Sequence, residues 1–300
     1  MNWNLFSKEE FISIVEKYNN SSTSGPDKLS WRHLKIIIKD NVCLNKFINI
    51  ANTYIDLGYW FSHFKISTTI IISKPNKESY DLHKAYQPII LLTTIGKLIE
   101  KVIGERMQFV TISNNFIHPC QLGGLKQRST SDTGVMLTYF ICMGYVKKHT
   151  TSTLAFNIAQ YFSLVNHYLF LSILVKTSFE PKVSTFFHNY LVGRKIKYLW
   201  NNYFSSLFNI DIGVGQGLAL SPILSVLYLL PIFHIFENQS NLKISISTLS
   251  FVDNGLLIAQ NELITVSSAN LFCSYNVISN FLTKFGITME HRKMEILPFF

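Results

Sequence analysis

The sequence predicts an α+β fold, and three observations carry that expectation. Short β-branched or apolar runs intermix with segments of helical periodicity, without the regular strand–helix alternation of a doubly wound sheet. Apolar residues make up 48% of the 300-residue chain and charged ones only 15%, which supplies a sizeable core and excludes wholesale disorder. No internal repeat, low-complexity tract or Gly/Ser linker interrupts the pattern, so a single folded unit is the expectation.

The first helix opens at Ser7, where Glu10 completes a capping box, and runs to about Tyr18. The polar stretch NNSSTSGPDKLS (19–30) reads as a loop, with Gly25, Pro26 and Asp27 as turn chemistry. Helices are expected at 30–39 and 43–57, and ISTTIIIS (66–73) is a strand because it is short and β-branched. Over 94–110, Ile95, Leu98, Ile99, Val102, Ile103 and Met107 recur at helical spacing beside Lys97, Glu100, Lys101 and Arg106, an amphipathic helix. Another helix covers 131–146. TSTLAFNIAQYF (151–162) begins as an apolar strand; helices at 166–176 and 182–192 and a hairpin at 196–213 follow. LALSPILSVLYLLPIFHIF (218–236) carries no formal charge and is long enough to suggest a membrane span. Pro222, Pro231 and His234 weaken that reading, so a helix at 220–236 buried on all sides within a domain is expected instead. A strand–turn–strand at 246–260, a helix at 267–285 and a strand at 294–299 complete the chain.

The net charge of +9 suits a nucleic-acid partner, although a basic balance alone also describes many solvated surfaces. Cys43, Cys120, Cys142 and Cys273 lie far apart, with no Cys-x-x-Cys pair, which indicates reduced intracellular thiols and no zinc or disulfide framework. The start, MNWNLFSKEEF, has charges where a signal peptide needs its apolar core, so secretion is not expected.

SFVDNGLLIA (250–259) sets one carboxylate in a tight turn between apolar strands. Asp-Asn between hydrophobic runs is first of all hairpin chemistry, yet a carboxylate held there is also able to bind a catalytic metal. GVGQGLALSP (213–222) reads by itself as a glycine turn, and Asn157 in AFNIAQYF (155–162) as a strand-end amide. In order and spacing, however, these three segments are similar to the palm motifs of a reverse transcriptase, specifically that of non-LTR (LINE-type) retrotransposons, fungal elements above all. KPNK…YQPIILLTTIGKLIEKVIGERM (74–107) resembles that family's fingers stretch, and QLGGLKQRSTSD (121–132) its Q-x-G-G-x-x-x-R-S-T-x-D segment. FGITMEHRKMEIL (285–297) matches the motif after the turn, and SGPDKLSWRHLK (24–35) the approach to the fingers, so the resemblance covers residues 25–300.

The resemblance implies a right-hand polymerase fold: a helical approach segment over 1–60 and a reverse transcriptase domain over 61–300. Within it, fingers fall at about 61–150 and the palm, an antiparallel sheet packed on helices, at about 151–300. The family's primer grip and thumb would come after EILPFF, so no thumb is expected, and nothing before residue 25 resembles an endonuclease. RNA-directed DNA polymerisation is implied, with an RNA template, a DNA primer and a dNTP as partners, Mg²⁺ or Mn²⁺ as cofactor, a nuclear location and no membrane. Such polymerases join a primer 3′-hydroxyl to a nucleotide α-phosphate with two divalent metals, and Mg²⁺ takes one or two protein carboxylates plus phosphates.

The family places aspartates at three positions that here hold Asn157, Asp253 and Asn254. Asp253 is the one charged metal ligand left. By the same resemblance Phe162 is the aromatic gate under the sugar, Gln216 and Gly217 line the nucleotide pocket, and Lys293 sits by the leaving pyrophosphate. Gln87 stands where the fingers arginine grips the triphosphate, and an amide cannot supply that charged fork. Without the motifs, a core aromatic, a turn glycine and a solvated lysine would be the simpler readings of Phe162, Gly217 and Lys293. Asn157, Asn254, Gln87, Ser163, Leu164, Leu218 and Met294 each differ from the family's usual residue by one G·C to A·T transition; Ile90 does not. Cytosine deamination in a decaying copy explains that bias, and drift in an AT-rich genome is the alternative. Little or no activity and impaired metal binding are therefore expected. The rival readings are an enzyme that tolerates Asn157 and a non-catalytic nucleic-acid-binding remnant.

Overall fold

Two sheets organise the protein, described here by a computed structural model for residues 3–20, 24–76, 78–82, 85–177, 179–200, 203–238 and 246–300. The chain divides into two compact units, each built from two segments. The first comprises 1–110 with 167–221, and the second 111–166 with 222–300.

In the first unit, helices α1 (Lys8–Lys17), α2 (Trp31–Ile37) and α3 (Asn41–Asp56) lie close to the expected bounds. Ser7 and Glu10 close the capping box, with the Ser7 N–H donating to Glu10 Oε2 at 2.8 Å. Asp40 caps α3 by accepting from the Val42 and Cys43 N–H groups at 2.7 and 2.9 Å. Strand β1 (Ile66–Ser73) pairs antiparallel with β2 (Tyr86–Leu91). The sequence reading has no strand at β2, because Pro88 interrupts the run; β2 is a terminal strand of its sheet, where a proline costs no ladder hydrogen bond. Next along the chain come α4 (Thr94–Ser113) and, after the second unit's first segment, α7 (His167–Lys176) and α8 (Pro181–Leu191). Strand β4 (Arg194–Trp200) runs parallel to β1 and takes both β5 (Tyr203–Phe204) and β6 (Phe208–Ile210) on its other side. The expected 196–213 hairpin is thus one strand paired with two short returning pieces.

The second unit holds the other sheet, ordered β7-β8-β3-β9 and antiparallel throughout. Its strands are β3 (Thr150–Asn157), β7 (Ile246–Phe251), β8 (Asn254–Asn261) and β9 (Glu295–Phe299). Helices α5 (Thr130–Val146) and α10 (Ile264–Lys284) pack on it, and α6 (Tyr161–Leu164) is a single turn beyond β3. Helix α9 (Ser221–Asn238) takes up most of the charge-free segment, which ends before Glu237. Every residue from Ile223 to Leu230 along it is buried, which explains its lack of a polar face. No helix among the described residues is long and apolar enough to cross a membrane.

Candidate active site

Register alone brings Asn157, Asp253 and Asn254 together. Strands β7 and β8 are joined by the two-residue turn Val252-Asp253, and Asn157, the last residue of β3, pairs directly with Asn254, the first of β8. The cluster therefore lies at the ends of the two central strands and not along an outer edge of the sheet. Val252 takes φ 60°, in the left-handed region, while Asp253 does not, the pattern of a type II′ hairpin. A β-branched residue there stores about 1–3 kcal/mol of strain, which only an over-determined surround maintains.

That surround is visible. The Ile158 N–H donates to the Asp253 carbonyl at 2.7 Å, and the Glu290 N–H to the Asn157 carbonyl at 2.8 Å. Residues 120–123 add a short parallel bridge: the Leu122 N–H donates to the Ser250 carbonyl at 2.8 Å, and the Ser250 N–H to the Cys120 carbonyl at 3.0 Å. A Cβ on Gly123 would stand 2.4 Å from the Val252 nitrogen, so only glycine lets the buttress approach the turn. Gly255 is equally constrained, because the Phe156 ring lies over it, 2.1 Å from where a Cβ would be. Sequence reasoning assigned no site role to Gly123 or Gly255; a glycine just after a turn dipeptide is the only local signal that was there to read.

The three side chains satisfy one another. Asn157 Nδ2 donates to Asp253 Oδ2 at 3.3 Å and to Asn254 Oδ1 at 3.0 Å, and Asn254 Nδ2 donates to Asp253 Oδ1 at 3.1 Å. A carboxylate only accepts, so the amide nitrogens are the ends that must face it. Asn157 and Asp253 are half-buried and Asn254 is exposed. Two divalent cations about 4 Å apart require converging anionic oxygens. Here a single carboxylate has an amide donor on each oxygen, and no group of three or more His, Cys, Asp or Glu side chains among the described residues is placed to hold a metal. The residues present do not fit a metal pair.

Around the cluster, Lys293 lies exposed in a short 3₁₀ turn (His291–Lys293) before β9. Ala155 pairs with Glu295, so the same register carries Lys293 towards the Asn157 end of β3. Phe162 is half-buried on α6, its ring 5.7 Å from that of Tyr161. Burial pushes the Tyr161 phenol well up, with Tyr228 and Asp253 adding to it, and the hydroxyl donates to the Ser225 carbonyl at 2.5 Å.

Gln87, Gln216 and Gly217 belong to the first unit. The Ile90 N–H on β2 donates to the Gln216 carbonyl at 3.3 Å, tying the 213–219 loop beside the strand that carries half-buried Gln87. The Gln216 side chain is exposed, and Gly217 needs its glycine at φ 92°. The loop is clamped by Glu100, which periodicity had grouped with the polar residues of α4. It is instead fully buried, accepting from the Tyr190 hydroxyl at 2.8 Å and from the Ala219 N–H at 3.2 Å. Burial raises the Glu100 pKa, and buried Arg194, whose guanidinium lies 4.7 Å over the Tyr190 ring, is the main influence holding it down. His167 Nε2 donates to the Gly213 carbonyl at 2.7 Å, and burial lowers the His167 pKa.

A strained turn carrying a carboxylate, set against the end of an adjacent antiparallel strand over helices, defines the palm of a right-hand nucleic-acid polymerase. Two structures of Candida tropicalis telomerase share the fold. The apo enzyme truncated from its C-terminal domain matches with a TM-score of 0.57 at 14% identity, over 78% of this chain and 50% of that one. The complex with a TWJ fragment of telomeric RNA matches with a TM-score of 0.58 at 14% identity, over 86% and 45%. The family model for reverse transcriptase (RNA-dependent DNA polymerase) matches residues 72–298, and the chain belongs to that family. It is similar to the RNA-directed DNA polymerase from mobile element jockey of Drosophila funebris, 26% identical over 216 residues, covering 72% of this chain and 23% of that protein. It is also similar to the probable RNA-directed DNA polymerase from transposon X-element of Drosophila melanogaster, 24% identical over 220 residues, 73% and 24%. The chain spans about a quarter of the length of these relatives, and they bear out the resemblance to non-LTR, LINE-type reverse transcriptases.

Proposed function

We propose that this chain is the fingers-and-palm part of an RNA-directed DNA polymerase in which the chemical step is lost and nucleic-acid binding is retained. One observation carries the reading: the ring of hydrogen bonds in which Asn157 and Asn254 occupy both oxygens of Asp253. In the family, divalent metals (Mg²⁺ or Mn²⁺) offset the charge that gathers on the α-phosphate; a single carboxylate whose oxygens both face amide donors brings too little negative charge to hold two dications.

The remaining positions are assigned by the family resemblance alone. Phe162 is the sugar gate, Gln216 and Gly217 shape the nucleotide pocket, and Lys293 stands for the pyrophosphate contact. Gln87 offers an amide where a guanidinium fork would grip the triphosphate. An RNA template and a DNA primer are the ligands, held through phosphates by dispersed Lys and Arg, because such contacts do not depend on the metal site.

Primer extension tests the proposal. With an RNA template, a DNA primer, dNTPs and Mg²⁺ or Mn²⁺, the unmodified chain is expected to extend negligibly. Asn157→Asp should restore more than Asn254→Asp, because the strand-end residue would have to bridge both ions, and the pair should be non-additive. Robust metal-dependent synthesis by the unmodified chain would overturn the reading.

A further inference from the structure

Helix α5 carries no charged side chain between Asp132 and the Lys147 that follows it, on any of its faces. Its inner face is fixed to the second unit's sheet. Gln260 Nε2 donates to the Phe140 carbonyl at 2.5 Å and to Thr151 Oγ1 at 3.2 Å. A Cβ on Gly144 would stand 2.2 Å from Thr151 Oγ1, so glycine lets the helix lie close to β3. The opposite face is open. From 133 to 146 the exposed positions are 134, 135, 138, 139, 142, 145 and 146, and steps of three and four set them on a single stripe. Its large side chains stand well clear of the protein: Val135 is 68% exposed, Tyr139 55%, Tyr145 49% and Val146 77%. A helix that is apolar all round is ordinarily covered all round.

The two ends of the stripe say what covers it. At the N-terminal end stands exposed Asp132, whose Oδ2 accepts from the Ser129 N–H and hydroxyl. The nearest cation, Arg128, is turned to the Pro119 and Gln121 carbonyls. At the C-terminal end the stripe runs into exposed Lys147 and Lys148. A polyanion would find four turns without a cation and a carboxylate beyond them. A second α5 laid antiparallel instead sets each Asp132 against the lysines of the other copy and opposes the two helix dipoles. Facing Asp132 with Lys148 puts the two-fold axis at position 140. The same register sets 135 against 145 and 138 against 142, so the stripe complements itself in the orientation its charges favour.

We propose that this stripe of α5 is the contact through which two copies of the chain form an antiparallel, two-fold dimer. Small residues (Gly134, Thr138, Cys142) alternate with large ones (Val135, Tyr139, Val146) along it, which gives the rings of one copy room beside the other's backbone. The helix is tied to the sheet at the Thr151–Gln260 end, and Asp253 lies at the other end of the same strands. Association therefore needs neither nucleic acid nor metal. One helix pair is small against the roughly 1,000 Å² that a stable interface buries, so the dimer is expected to be weak and concentration-dependent.

Sedimentation velocity over a concentration series, without nucleic acid, should show the 34.5 kDa species giving way to one of twice that mass. Tyr139→Glu, next to the two-fold axis, sets two carboxylates together and should hold the chain monomeric throughout. Its melting temperature at low concentration should match that of the unmodified chain, which separates loss of the dimer from loss of the fold. Asp132→Asn keeps an acceptor for Ser129 and should weaken the dimer about fivefold, as should Lys147→Ala with Lys148→Ala. Combining them should cost no more than either, because one contact is lost. The two copies of Cys142 would stand about 6 Å apart along the helix axes, within reach of a short bismaleimide. Cys142→Ser should abolish that cross-link, and Cys273→Ser, at the other exposed cysteine, should not. A chain that stays monomeric up to its solubility limit would overturn the proposal. So would a dimer that Tyr139→Glu leaves intact, or one that is cross-linked through Cys273.

Discussion

At the ends of β3 and β8, one half-buried carboxylate meets two amides. Beside the 213–219 loop, by contrast, a carboxylate with no exposed surface keeps a phenol, a backbone N–H and a guanidinium around it. The first site carries one charge among amides and the second keeps a buried one, although burial makes the second by far the more expensive place to keep an ion. The difference lies in what is left behind when a charge goes. Without Glu100, the Arg194 guanidinium would stay buried without that counter-charge, and the Ala219 N–H and Tyr190 hydroxyl would lose their acceptor. Without the carboxylates of positions 157 and 254, nothing is orphaned, because amides bond to Asp253 and to each other. The fold therefore enforces the structural charge and is indifferent to the chemical ones.

The largest expected effect comes from breaking the first half of that contrast. Glu100→Ala should lower unfolding stability by about 3–5 kcal/mol in urea titrations. Glu100→Gln, which keeps an acceptor for Tyr190 and Ala219, should lose clearly less. Equal losses for the two variants would show that the charge itself is not what the site keeps.

Next in size is the backbone of the hairpin. Gly255→Ala drives a methyl into the Phe156 ring and should cost about 1–3 kcal/mol, with part recovered by adding Phe156→Leu. A neutral Gly255→Ala would mean that the strand-end geometry is looser than its contacts indicate.

Much of this was legible in the sequence, and the exceptions have physical causes. The Ser7–Glu10 box, the α4 periodicity and the 246–260 hairpin are local signals, and the structure carries all three. The convergence of Asn157 on Asp253 was legible only through the family resemblance, because strand register between residues so far apart has no local signature. Strand β2 was hidden by Pro88, whose tolerance depends on the terminal place of that strand in its sheet. Glu100 was hidden for the opposite reason. On a helix a carboxylate between Lys97 and Lys101 reads as solvated, and nothing nearby in sequence announces Tyr190, Arg194 or Ala219, which bury it.

A smaller effect sharpens the first unit's side of the contrast. Burial lowers the His167 pKa below its unfolded value of about 6.5, so the neutral ring is the form the fold accepts. Its contribution to stability is in full force above about pH 6.5 and is lost as pH falls through the lowered folded value. Melting temperature should decline with acidification in that window, and His167→Gln should flatten the decline. An unchanged profile in the variant would assign the pH dependence elsewhere.

The smallest effect concerns the amide ring. In EDTA, Asn157→Asp sets a second carboxylate beside Asp253 and should cost about 1 kcal/mol at this half-exposed site. Divalent cation should reverse that loss in the variant and leave the unmodified chain's melting temperature unmoved.

Direct titration of Mn²⁺, followed by the loss of the free-ion EPR signal, addresses the centre of the contrast. The unmodified chain is predicted to leave the free Mn²⁺ signal unchanged at protein concentrations where the Asn157→Asp, Asn254→Asp variant removes it stoichiometrically. Saturable Mn²⁺ binding by the unmodified chain, abolished by Asp253→Asn, would show that one carboxylate and two amides suffice, and would contradict the claim that this palm has kept its fold and lost its metals.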